Sequence, residues 1–69
     1  MGRRSYSSRE IRKMLKADGW YEVGANGDDV QYKHATKPGR VTCPAKDRDI
    51  APGTLRSIFR QAQWDWKQR

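Results

Sequence analysis

The hydrophobic period changes twice along this chain, and that change limits its fold more than any other feature. Near the start, Ile11, Met14 and Leu15 recur at helical spacing. Near the end, Leu55, Ile58, Phe59 and Ala62 fall at i, i+3, i+4 and i+7. Between them the period is two. Val30, Tyr32 and His34 alternate with Gln31 and Lys33, and Val41 and Cys43 flank Thr42. Two amphipathic helices therefore bracket a run of half-buried strands.

The punctuation between these segments agrees with that reading. Ser7 and Glu10 form an S-x-x-E capping box, Tyr6 and Ile11 are spaced for a hydrophobic staple, and Asp18-Gly19 ends a helix over residues 8–18. Residues 20–23 are β-prone, residues 24–29 make a turn around Asn26-Gly27, and residues 30–34 return as a second strand. Pro38-Gly39 suits a type II turn before a third strand over 40–43, which Pro44 stops. A polar connection with Ile50 as its one apolar anchor leads to a last helix beginning near Pro52-Gly53-Thr54. No glycine caps that helix after Ala62, so it is expected to run on through Trp64 and Trp66. The predicted fold class is α+β. Its order is α-β-β-β-α, in a double-stranded-RNA-binding-domain-like arrangement. A three-stranded antiparallel sheet carries two helices on one face and leaves the other open. At 69 residues the chain makes one domain over 1–69, with a core over about 6–63 and a basic, aromatic tail over 64–69.

Composition narrows the function classes. One Cys excludes an internal disulfide, and one Cys with one His cannot close a four-ligand zinc site. The apolar runs are too short for a membrane span or a signal sequence, and the basic, polar opening suits a cytoplasmic chain. The formal charge is +7 and the pI about 10.1, which attracts polyanions: nucleic acid or an acidic protein partner. Lys33, Lys37 and Arg40 on the second hairpin, with Arg56 and Arg60 on the last helix, are the candidate RNA-phosphate contacts. Trp64 and Trp66, two residues apart, point either to self-association or to a tail folded back beside Trp20. Cys43 reads as a small core residue, and Asp28-Asp29 as a solvated turn tip.

An ordered set of residues resembles the HicA-type mRNA interferase toxins of bacterial toxin–antitoxin pairs. The set begins with Ser8-Arg9-Glu10 and Leu15-Lys16-Ala17-Asp18-Gly19-Trp20, then Gly27 and Gln31-Tyr32-Lys33-His34. It continues through Lys37-Pro38-Gly39-Arg40-Val41-Thr42, Pro44 and Asp49-Ile50 to Gly53-Thr54-Leu55-Arg56-Ser57-Ile58 and Gln61-Ala62. The resemblance implies binding to mRNA, RNA cleavage without a metal or other cofactor, and neutralisation by a HicB-like antitoxin.

The chain departs from the family pattern at the first hairpin. The pattern reads Gly-Ser-His there, and its His is catalytic; here the stretch is Gly27-Asp28-Asp29, with Asp29 at the position of the His. Metal-free cleavage needs a base for the 2′-hydroxyl and an acid for the leaving oxygen, and imidazole, with a pKa near neutrality, serves either. A carboxyl group with an ordinary pKa of about 4 is a weak base and is no acid at neutral pH. Catalysis is therefore expected to be lost or weakened at Asp29, with His34, the one remaining imidazole, as the other catalytic candidate. The alternative is a non-catalytic basic module or inhibitor acting on RNA or on an acidic protein. A histidine restored at position 29 is expected to be surrounded by Lys and Arg.

Overall fold

The computed structural model describes residues 5–66. The leading basic stretch and the end of the basic tail, residues 67–69, lie outside the described residues. The element order is α1 (Ser8–Ala17), β1 (Trp20–Asn26), β2 (Asp29–His34), β3 (Val41–Pro44) and α2 (Pro52–Gln61). The strands form one antiparallel sheet in the order β1-β2-β3. The predicted α+β class and element order hold.

The capping box at α1 is complete: the Ser7 side chain accepts from the Glu10 backbone N–H, and the Glu10 carboxylate accepts from that of Ser7. The helix stops one residue earlier than expected, with Asp18 as C-cap and Gly19 at φ +98°. A side chain at Gly19 would also be blocked, since its Cβ would come within 2.9 Å of His34 Nε2.

Alternation in the strands decides which residues meet the helices. Trp20, Val30, Tyr32, Val41 and Cys43 are buried and share one core with Ile11 and Leu15 of α1 and Leu55, Ile58 and Phe59 of α2. Ile50 and Tyr6 join this core, as does Ala62.

The first hairpin differs from the sequence expectation. β1 runs on to Asn26, which pairs with Asp29, so the loop is only Gly27-Asp28. A register shift between Glu22 and Gly24 lets Gly24, Ala25 and Asn26 stay in the ladder. Gly27, at φ +63°, supplies the positive φ wanted at the first position of such a two-residue loop. Asp29 is consequently a half-buried strand residue rather than part of the tip, which is left to Asp28.

The end of α2 is the second correction. The helix does not continue through the Trp residues. Gln63 takes the left-handed conformation at φ +61°, its N–H bonds Arg60 O at 3.1 Å, and the Trp64 N–H bonds Phe59 O at 2.8 Å. This is a Schellman closure without glycine. The left-handed backbone costs about 1–2 kcal/mol for an L-residue. Contacts made by the returning tail offset it: Trp64 packs edge-on against Phe59 at 5.2 Å, and Trp66 packs against the same ring at 5.3 Å. Both tryptophans are thus half-buried against the chain's own core.

Candidate functional site

A cleft of about 580 Å³ opens between the free edge of β3, the segment before α2, and α2 itself. Asp29 lies in its wall, with Arg48 and Asp49 as the other charged groups. Thr42, Thr54 and Ser57 bring hydroxyls and Gln61 an amide, over a floor that includes Pro44, Ile50 and Ile58. The Gln61 Oε1 also accepts from the Thr42 backbone N–H at 3.1 Å, which closes part of the β3 edge. α2 begins here with Ala51 at its N-cap, no side-chain cap and no acid in its first turn. Its N-terminal N–H groups and positive dipole end make this side of the cleft favourable to anions.

The rim of the cleft is positioned by α1. The buried Ser8 hydroxyl donates to Lys46 O and accepts from the Arg48 N–H at 3.2 Å, while the Ser8 N–H donates to Arg48 O at 2.8 Å. Arg12 Nη1 donates to Ala45 O at 2.6 Å, and the Ile50 N–H to Tyr6 O at 2.9 Å. A polar connection that reads as loop is thereby tied to α1, and its Arg48 and Asp49 line the same cleft as Asp29. The strong cationic setting expected around position 29 is absent from the cleft wall, where one guanidinium faces two carboxylates.

His34 lies at the other end of β2. It is five positions along the strand from Asp29, about 16 Å at the usual rise, so the two cannot act on one phosphate. Both ring nitrogens are engaged. Nδ1 accepts from the backbone N–H groups of Thr36 (3.0 Å) and Lys37 (3.1 Å), which assigns the ring proton to Nε2, and Nε2 donates to Asp18 O at 2.7 Å. The ring also packs edge-on against Trp20 at 5.2 Å. This geometry describes a side chain that locks the β2–β3 connection onto the end of α1.

The expected RNA contacts fall into three environments. Lys33 and Arg40 are exposed; Lys33 is on the uncovered sheet face, and Arg40 reaches the same face through a 2.9 Å bond from Nη1 to Gln31 Oε1. Arg56 and Arg60 are exposed on the helix layer, with the Arg56 guanidinium 6.0 Å from the Trp66 ring centroid. Lys37 is engaged internally: its Nζ is 2.6 Å from Asp18 Oδ2 and donates to Ala62 O at 3.1 Å. Cys43 is fully buried, and burial pushes its thiol up to about 11, with Arg12 opposing and Asp29 adding to the rise. It has no thiolate to offer as a nucleophile near neutral pH.

Asp18 is a structural hub at a position where the sequence signals only a helix stop. Its Oδ2 accepts from Lys37 Nζ, Trp20 Nε1 (3.1 Å) and Trp64 Nε1 (3.0 Å), joining α1, β1, the β2–β3 connection and the tail. The Lys37 hydrogen bond holds the carboxyl below its ordinary range, helped by the two indole bonds and opposed by desolvation. A carboxyl lowered in the folded state contributes stability that is fully present above its unfolded pKa of about 3.9. That contribution fades as pH falls through the lower folded value. Thermal unfolding followed from pH 7 to 2.5 should show an acid limb below about pH 4, and Asp18→Asn should flatten it. An unchanged limb in Asp18→Asn would remove Asp18 as its cause.

The polar cleft residues that the sequence does not single out are Thr42, Arg48, Asp49, Thr54, Ser57 and Gln61. Thr54, Ser57 and Gln61 stand in the stretch of resemblance at positions off the apolar stripe of α2, a signal that Arg48 lacks. The sequence model of a family described as "HicA toxin of bacterial toxin-antitoxin" matches residues 8–64. No curated protein matches the chain.

Proposed function

Because the chain belongs to the HicA family of bacterial toxin–antitoxin toxins, we propose that it is an RNA-directed member whose metal-free cleavage of mRNA is lost or weakened at Asp29. Its neutralising partner is then a HicB-like antitoxin. The observation that carries this reading is the placement of the two candidate catalysts. Asp29 lines the cleft, while the one histidine is a strand's length away with both ring nitrogens bonded.

The cleft retains features that suit a phosphate: hydroxyls, an amide, Arg48 and the uncapped start of α2. It lacks an imidazole to take the 2′-hydroxyl proton or to give one to the departing 5′-oxygen. Two carboxylates, Asp29 and Asp49, also oppose a phosphate's approach. The chain is left able to hold RNA without turning it over.

Binding and cleavage are measured separately. Labelled RNA should bind with an affinity that falls steeply with salt, and incubation in EDTA should leave it intact. In the double variant Lys33→Glu with Arg40→Glu, binding should weaken strongly. The slope of log affinity against log salt should flatten by about one unit per lost phosphate contact. An unchanged slope would remove these two side chains from the RNA surface, and an absence of RNA binding by the unsubstituted chain would overturn the proposal.

A further inference from the structure

We infer that the uncovered face of the sheet is a stacking site for single-stranded RNA, centred on Tyr21 and leading into the cleft at Asp29. The inference rests on the RNA-directed reading above and adds the form of RNA and the side chain that holds it. Tyr21 and Val23 are the two large apolar side chains left exposed among the described residues, and Tyr21 is 51% exposed. Tyr21 pairs with Lys33 across the β1–β2 ladder, so ring and ammonium share the outer face. One step along, Gly24 faces Gln31, and a Cβ built at Gly24 would meet nothing within 4 Å. The sheet is therefore bare beside the tyrosine, with room for a flat ring.

The surrounding groups suit a nucleotide chain. Lys33 and Arg40 supply cations for the phosphates on either side of a stacked base. Gln31 has its Oε1 occupied by Arg40, which leaves its amide N–H donors for a base edge. Thr42 pairs with Gln31 and also lines the cleft, so the face and the cleft are continuous. Lys33, Gln31 and Asp29 stand at alternate positions of β2, and the path from Lys33 to Asp29 is about 13 Å. A base-paired helix hides its base faces, so an exposed aromatic with flanking cations selects unpaired bases.

The test uses the full chain with two probes, an oligouridine of about 12 nucleotides and an RNA duplex of similar length. Tyr21→Ala should lower affinity for the single strand roughly 5- to 100-fold and change duplex affinity by less than about twofold. Tyr21→Phe and Tyr21→Trp should restore single-strand binding. The salt slope should be unchanged in all three variants, because no charge is removed. Equal single-strand affinity for Tyr21→Ala and the unsubstituted chain would overturn the inference, as would an equal loss on the duplex. If the unsubstituted chain binds neither probe, the RNA-directed reading falls with it. If it binds RNA while Tyr21 is indifferent, only the stacking site fails.

Discussion

Asp29→His should raise RNA cleavage by at least roughly 10²-fold, the low end of a general acid–base contribution. The scaffold is ready for the change. Position 29 is the first residue of β2, paired with Asn26 and Pro44, and its side chain borders a cleft rather than the close-packed core. An imidazole there would meet the hydroxyls of Thr54 and Ser57, Gln61, Arg48 and the start of α2 across the same space. The substitution also removes one of the two carboxylates that repel a phosphate. An imidazole has an ordinary pKa of about 6.5. It would then be present in both protonation states near neutrality, as a base for the 2′-hydroxyl and an acid for the leaving oxygen. Expression of the variant should arrest growth unless an antitoxin is co-expressed, whereas the unsubstituted chain should be tolerated. A folded Asp29→His protein that leaves RNA intact would overturn the assignment of position 29. So would metal-free cleavage by the unsubstituted chain that disappears in His34→Ala.

The fold was largely legible because its signals are local. The capping box, the two stripes and the alternation of Val30, Tyr32, Val41 and Cys43 each follow from neighbours a few residues apart, and the structure keeps all of them. What escaped depends on residues far apart in the chain. Lys37 reads as one of a basic cluster, yet Asp18 and the Ala62 carbonyl, 19 and 25 residues away, claim its ammonium. Gln63 gives no signal of a helix stop. The stop is set by Trp64 returning to Phe59 and Asp18, and only the folded core supplies those partners. The cleft was half legible. Asp29 could be picked out from the motif, but the wall opposite it is built from the connection that Ser8 and Arg12 tie down by hydrogen bonds spanning more than 30 residues. Reading Asp28-Asp29 as one tip failed because a bulge near Val23 lengthens β1, something no turn dipeptide announces.

The same long-range packing gathers three other aromatic rings around Phe59. Its ring is 3% exposed and is touched by three others, with centroids at 5.9 Å for Tyr6, 5.2 Å for Trp64 and 5.3 Å for Trp66. Removing it deletes more than one side chain's burial. Tyr6 leads into the α1 cap, and Trp64 carries the contact that offsets the left-handed backbone at Gln63. Phe59→Ala should therefore cost about 3–5 kcal/mol, the usual range for a buried aromatic. Single domains have about 0.05–0.15 kcal/mol of stability per residue, which for a chain of this length gives roughly 3–10 kcal/mol in all. Phe59→Ala should accordingly be partly unfolded at 25 °C, with loss of the Trp64 and Trp66 fluorescence environment. Phe59→Leu keeps most of the volume and should fold, with a smaller loss and a lower urea midpoint. A loss below about 1 kcal/mol in Phe59→Ala would mean that the aromatic tail is held by Asp18 alone and that α2 does not depend on this ring.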